Sequence, residues 1–383
     1  MMRVDRELEG STNLFIVNTP LQLLTAYIIA NSFCGGMNNQ LLFISRNWQD
    51  LYKESFYIKE ILEDNTVWTR VSKIQNWLGR TSCISGLKQE MADMRDWLFS
   101  NTAKFDQVFL GSDKSISNQI IVELSGNTHY NRLEDGVWSY YCVDRHFLSK
   151  LWCKVKVKFI RDCGNLYSDM KYNVRGVGHG RSALADYLYK PELLTRYSPR
   201  AVKIKSSQIS AAMEKLSQHP ALYQNYLFDK SVLFLGSMLV ERKKISIEEE
   251  FGLLQSIYKM CNLHNIRLLY KPHPSESDRK IAVYRQKLPD LDICMIRDPI
   301  EILFNKINGL QYVLAHSSSG LIFADVFSGG RVKAIALHHL YNRKSDDTLV
   351  NHLMESASVM IPKTMEELQN YLTVVRQFDS EED

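Results

Sequence analysis

The sequence predicts an α/β protein built from two open, doubly wound parallel sheets. Three observations support this. Short apolar runs end in turn residues and are followed by apolar residues at helical spacing. The alternation is regular through the second half of the chain. The three patches richest in chemistry fall beside predicted strand ends, where α/β proteins hold their ligands. With 383 residues, 45% of them hydrophobic, the chain is long enough for two domains with separate cores.

Leu14 to Val17 reads as a strand that stops at Asn18-Thr19-Pro20, after which Leu21, Leu24, Tyr27, Ile28 and Ile29 continue at helical spacing. Pro20 falls near the first helical turn, where its missing N–H does no harm. Leu41 to Ser45 and Gln107 to Leu110 read as strands, and Met91 to Leu98 as a helix. From about Lys150 to Gln224 the pattern weakens. There Lys154, Lys156 and Lys158 alternate with Val155, Val157 and Phe159, as in a half-exposed strand.

The second half is clearer. Ser231 to Leu235, Arg267 to Tyr270, Leu291 to Ile296, Tyr312 to Ala315 and Arg331 to Leu337 read as strands. Between them Ile247 to Cys261, Pro299 to Ile307 and Gly320 to Phe327 read as helices. Glu366 to Val375 is a closing helix, ahead of an acidic tail from Asp379 to Asp383 that is expected to fray. A boundary at or just after the polar stretch Lys203 to Gln208 divides the chain into residues 1–215 and 216–383. Two such domains would enclose a cleft lined by the carboxyl ends of both sheets.

A net charge of +4 and a pI near 8.5 are far from the dense basic stripe of a duplex-binding protein, so no nucleic-acid partner is expected. They are compatible with an anionic ligand or a membrane surface. Seven cysteines, with no C-x-x-C spacing, read as reduced structural thiols of a cytosolic protein. The stretch Met1 to Glu9 lacks the apolar core of a signal peptide, and no window approaches about 18 apolar residues. The expectation is a cytoplasmic protein, either soluble or peripheral at the inner face of the membrane. Its oligomeric state is open.

The first patch is Leu133-Glu134-Asp135-Gly136. A carboxylate there, facing the cleft, could take a proton from an acceptor hydroxyl; an Asp-Gly turn is the plain alternative. The second is Tyr270-Lys271-Pro272-His273-Pro274, where two prolines stiffen the backbone around a histidine able to donate a proton or hydrogen bond to a leaving phosphate. The third is His316-Ser317-Ser318-Ser319-Gly320, whose hydroxyls and free N–H groups at a helix start form an anion site, or simply cap the helix. Lys271 could reach a nucleobase or phosphate, and Glu301 could accept ribose hydroxyls. Either could equally be a solvated charge, Glu301 suiting a helix's first turn.

Other signals carry less. Asp290-Leu291-Asp292 enters a strand rather than leaving one, so no metal is expected there. Gly176 to Gly180 reads as a flexible loop, and no zinc spacing or P-loop occurs.

The order and spacing of Glu134-Asp135-Gly136, His273-Pro274 and Ser317-Ser318-Ser319 resemble the bacterial sialyltransferases, including the lipooligosaccharide sialyltransferases and capsular polysialyltransferases. The opening Asn18-Thr19-Pro20-Leu21-Gln22 looks like their first strand-to-helix turn. The resemblance implies the GT-B fold and a metal-independent, inverting transfer from a CMP-linked sialic acid to a bacterial surface glycan, free or lipid-linked, with no cofactor. It makes Glu134 the general base, supported by Asp135, and His273 the acid or phosphate stabiliser. Ser317, Ser318 and Ser319, with Pro274 beside the histidine, would meet the CMP phosphate. Lys271 and Glu301 would contact cytosine and ribose, and Gly236 and Ser237 would approach the nucleotide. Asn18, Gln22, Ser112 and Asp113 are placed at sugar or acceptor contacts. The base is Glu where some relatives have Asp, which alters its reach. Rival readings are a CMP-Kdo transferase, a UDP-sugar epimerase of the same fold, and a non-catalytic subunit of a polysaccharide assembly complex.

Overall fold

The computed structural model of the protein describes residues 11–44, 48–74, 84–100, 104–141, 145–175, 178–216, 230–341 and 348–373. The predicted acidic tail, the charged N-terminus, Gly176, Val177, Cys83 and Cys142 lie outside them. Contacts within the chain divide it into two compact units, Met1–Leu216 and Ser217–Asp383.

The first unit carries strands β1 (Thr12–Val17), β2 (Asn38–Ile44), β3 (Arg70–Ile74), β4 (Gln107–Leu110), β5 (Tyr130–Arg132), β6 (Ala183–Leu188) and β7 (Ala201–Lys203). They form one parallel sheet in the order β3-β2-β1-β4-β5-β6-β7. The chain winds outward from β1 to β3, then returns to place β4 on the other side of β1. That reversal makes the β1/β4 seam the topological switch point, outside whose carboxyl end a ligand crevice forms. Leu14, Ile16, Val108 and Leu110 are sealed in the core, as expected of strands covered on both faces. The helix Pro20–Phe33 starts with Thr19, whose side chain accepts from Gln22 N, and is buried on most sides from Gln22 to Ala30.

The second unit carries β8 (Ser231–Leu235), β9 (Arg267–Lys271), β10 (Asp292–Ile293), β11 (Leu310–Ala315) and β12 (Lys333–Ala336). All pair in parallel in the order β10-β9-β8-β11-β12, so its switch point is the β8/β11 seam. Helices Ile247–Leu263, Asp278–Lys287, Ile300–Lys306, Ser319–Ser328, Thr348–Ser356 and Met365–Thr373 belong to this unit.

Two readings are corrected. The alternation from Lys154 to Phe159 is not a strand but part of an 18-residue helix, Phe147–Gly164. Val157 and Ile160 are its buried residues, at helical spacing, while Val155 and Phe159 are exposed. It was these exposed apolar residues that imitated a two-residue period. The predicted strand Leu291 to Ile296 is only Asp292–Ile293, because beyond Cys294, whose N–H still bonds Tyr270 O at 2.8 Å, the chain turns so that Lys271 Nζ bonds Ile296 O.

Candidate active site

In the first unit, Ile16 pairs with Leu110 and Leu110 with Arg132, so these three residues form one row across β1, β4 and β5. Asn18, Ser112 and Glu134 each stand two positions beyond that row. The sheet register therefore brings three separately predicted residues to one level at the carboxyl edge, beside the switch point.

Glu134 is fully buried. Its Oε2 accepts from the Tyr140 hydroxyl at 2.5 Å and from Tyr189 N at 3.4 Å, while Oε1 has no hydrogen-bond partner. Burial pushes this carboxyl up to about 7, against the opposing pull of the Tyr140 and Ser139 hydroxyls, of Arg132 and of Tyr189 N. Asp135 is less enclosed and is pushed up to about 6, again by burial; Gln22 Nε2 donates to its Oδ1. Gln22 is held in turn by Asn18 N, which donates to its Oε1 at 2.8 Å. Gly111 permits this arrangement, since a Cβ there would stand 2.2 Å from Gln22 Oε1. Asn18 also pairs with Asn118, whose Nδ2 lies 2.6 Å from its Oδ1 and 3.3 Å from Ser112 O.

Asp113 is buried, accepts from Asn173 Nδ2 at 2.9 Å, and keeps Oδ1 without a hydrogen-bond partner; burial raises its pKa. Beneath these acids lies Arg132, bonded to Asp186 at 2.8 Å and attracting Asp113, Glu134 and Asp135. Its charge lets several carboxyl groups share one buried region. Sequence reasoning missed Arg132, Asp186 and Tyr140. The available signal was a charged residue closing the short run Tyr130-Asn131-Arg132-Leu133.

In the second unit, Leu235 pairs with both Lys271 and Ala315, so Gly236, Pro272 and His316 leave the sheet from one row. The His-Pro loop, the Gly236-Ser237 turn and the serine loop thus share one carboxyl edge. Ser318 caps the helix Ser319–Ser328 and accepts from Gly320 N at 3.2 Å, and Ser317 Oγ pairs with His316 Nδ1 at 2.9 Å. The cap accepts through oxygen, so Gly320 N and Leu321 N are both bonded to Ser318 and what it leaves for an anion is the Ser318 hydroxyl hydrogen at the positive end of the helix.

His273 is exposed, and its Nδ1 accepts from Ser275 N at 3.1 Å. A neutral ring so held carries its proton on Nε2 and presents that N–H as donor. Partial dehydration, then Arg242, lower its pKa, which favours this neutral form. Pro274 offers its carbonyl to Arg297 Nη1 at 3.2 Å.

The loop is fixed from below by Glu276. Its Oε1 accepts from His273 N at 3.0 Å and its Oε2 from the Tyr270 hydroxyl at 2.7 Å. Lys280 Nζ lies 3.6 Å from Glu276, 2.5 Å from Glu250 and 3.0 Å from Ser237 O. Ser237 Oγ donates to Glu250 at 3.1 Å. This Glu250-Lys280-Glu276 cluster, all of whose side chains are sealed, ties the Ser237 turn to the His273 loop. None of the three was found from the sequence. Gly236 is required by the packing, because a Cβ would stand 1.9 Å from Glu276 Oε1. Lys271 is not a freely reaching cation: Nζ bonds Ile296 O, and burial lowers its pKa. Glu301, in the first turn of Ile300–Lys306, is buried and pushed up to about 7, with Lys271 as its attracting neighbour. The second acid of the D-x-D, Asp292, pairs with Arg267, with Nη2 to Oδ1 at 2.9 Å.

The family described as alpha-2,8-polysialyltransferase (POLYST) matches residues 13–336. No curated protein sequence gives a significant match. Among solved structures, a UDP-GlcNAc 2-epimerase from Methanocaldococcus jannaschii is similar at 10% identity and TM-score 0.55, over 95% of this chain and 92% of that one. Another UDP-N-acetylglucosamine 2-epimerase gives 12% and 0.53, over 98% and 89%. The GT-B domain of a sialyltransferase from Photobacterium damselae gives 11% and 0.51, over 92% and 98%. At these identities the likeness is one of fold, and the fold is GT-B.

Proposed function

Because the chain belongs to the alpha-2,8-polysialyltransferase family, and so is a glycosyltransferase of the sialyltransferase kind, we propose that it moves sialic acid from CMP-sialic acid to a hydroxyl of a bacterial surface glycan, with inversion and without a metal. The observation that carries the assignment of the base is Glu134: a sealed carboxylate with one oxygen unpartnered and a pKa near neutrality.

In this reading the acceptor hydroxyl gives its proton to Glu134 Oε1 as its oxygen bonds to the anomeric carbon of the donor. The bond from that carbon to the CMP phosphate breaks, and its electron pair leaves on the phosphate. His273 Nε2–H, the Ser318 hydroxyl and the positive end of the helix Ser319–Ser328 would stabilise the charge that develops there. A single displacement inverts the centre. A monophosphate leaving group carries less charge than a diphosphate, which makes neutral donors adequate. Since Glu134 is sealed, the acceptor reaches it only when the side chains around it move. Glu301 would accept ribose hydroxyls, and Ser237 and Lys271 would line the nucleotide.

The test follows CMP released from CMP-sialic acid or CMP-Kdo, and UDP or epimerised sugar formed from UDP-GlcNAc, by purified protein with sialoside and galactoside acceptors and EDTA present. CMP released from CMP-sialic acid only with acceptor, unaffected by EDTA, is the expected result. Turnover of either other donor alone, or none of any donor, would contradict the proposal.

A further inference from the structure

The helix Phe147–Gly164 turns an apolar stripe to solvent. Phe147 is 73% exposed, Trp152 70% and Phe159 48%, and Leu148, Leu151 and Val155 are exposed with them. At about 100° per residue, Leu148, Leu151, Trp152, Val155 and Phe159 fill one sector about 100° wide, opposite the buried Val157 and Ile160. A soluble helix normally places charge on that face. Here the charge borders the stripe: Lys150, Lys154, Lys158 and Arg161 run along one side and Lys156 along the other. Asp162, exposed in the sector of the stripe but one turn from the helix's end, is the single carboxylate of the helix, so its net charge is +4, equal to that of the whole chain. On the lysine side a groove of about 320 Å³ is lined by Phe147, Lys150, Leu151, Lys154, Val174 and Arg175.

We infer that this helix lies in the surface of an anionic phospholipid bilayer, with the apolar stripe among the acyl chains and the lysines on lipid phosphates. Its 18 residues give about 27 Å of axis, a length that suits lying in the interface. Among the described residues no helix is long and apolar enough to cross a membrane, so the contact is superficial. Charge selects the occupant: a second copy would set the same cationic borders against each other, whereas an anionic surface neutralises both at once. The leading end of the helix is tied to the chemistry-bearing edge of the first sheet. Arg145, two residues ahead of Phe147, bonds Lys114 O at 2.8 Å, and Lys114 follows Asp113. A bilayer-borne acceptor would thereby be presented near that edge.

The test is co-sedimentation of the full chain with vesicles of phosphatidylcholine alone or mixed with phosphatidylglycerol. Sedimentation only with the mixed vesicles, weakened by salt, is expected. The triple variant Lys154→Gln, Lys156→Gln, Lys158→Gln should lower partitioning on the order of 100-fold, at roughly 5-fold per lysine. The variant Leu151→Ser, Trp152→Ser should lose binding with an unchanged circular dichroism spectrum, since both side chains face solvent. Wild-type protein that stays in solution with both vesicle types, or variants that bind as it does, would overturn the inference. So would a stable dimer that the Trp152 variant dissociates. Binding is read without turnover, so this result is separate from that of the donor assay.

Discussion

Replacing Glu276 by glutamine tests the account of how the His273 loop is held. The carboxylate is enclosed beside Lys280 and Glu250, and burial lifts it from the ordinary 4.5 to about 7. That rise corresponds to about 3 kcal/mol. For an acid raised in the folded state the protonated form is favoured by folding. Its contribution is therefore whole below the unfolded value, about 4.5, is lost as pH climbs to about 7, and is constant above that. Glutamine is neutral throughout, and its own fit adds an offset that does not vary with pH. Urea unfolding of both proteins across this range should show the variant gaining on the wild type by about 3 kcal/mol between pH 4 and pH 8. Glu134, Asp135 and Glu301 have raised values too, but they are common to both proteins and cancel in the difference. A difference, variant minus wild type, that does not change with pH, or that falls as pH rises, would refute the claim that Glu276 is a buried acid near neutrality. The kinetic counterpart is a fall in kcat, because His273 N loses its charged acceptor.

Other substitutions probe the same edge. Gly236→Ala should lower stability by about 1–3 kcal/mol, since its Cβ would stand 1.9 Å from Glu276 Oε1 and 2.6 Å from the Tyr270 hydroxyl. Gly252→Ala, mid-helix with nothing within 4 Å of its Cβ, should raise stability by about 0.5–1 kcal/mol; thermal melting compares the two, and equal shifts would contradict the packing argument. Ser318→Ala removes the cap on Gly320 N and should cost about 1 kcal/mol while weakening CMP binding in calorimetry. Unchanged affinity would remove Ser318 from the phosphate site.

The strands whose limits were legible in the sequence are those whose interior positions are apolar. Ser231–Leu235 and Gln107–Leu110 have the predicted limits because Val232, Leu233, Phe234 and Val108, Phe109, Leu110 leave no other reading. β5 and β6 were not legible, because their interior holds Asn131, Arg132 and Asp186. Arg132 and Asp186 neutralise each other across 54 positions, a relation with no local trace. The same holds for Glu250 and Lys280 under the His273 loop, although Glu276 and Lys280 are only four positions apart. The three patches were legible because turn residues and chemical residues coincide at strand ends. Their supports were hidden because a buried charge is explained only by its distant partner. The kinship with bacterial sialyltransferases was also legible, and the family match over residues 13–336 bears it out. The Lys154 to Phe159 misreading has a physical source of its own: an outward-facing apolar stripe breaks the rule that exposed means polar.

The most direct test of the assignment of Glu134 is the pH dependence of kcat/KM for sialyl transfer by wild type and Glu134→Gln. A base must be ionised to act, so the wild-type rate should rise with pH and level off above about 7. The variant should lose about 10²–10⁴-fold and with it that limb. A variant that keeps most of the rate, or one that loses rate but retains the same limb near 7, would contradict the account.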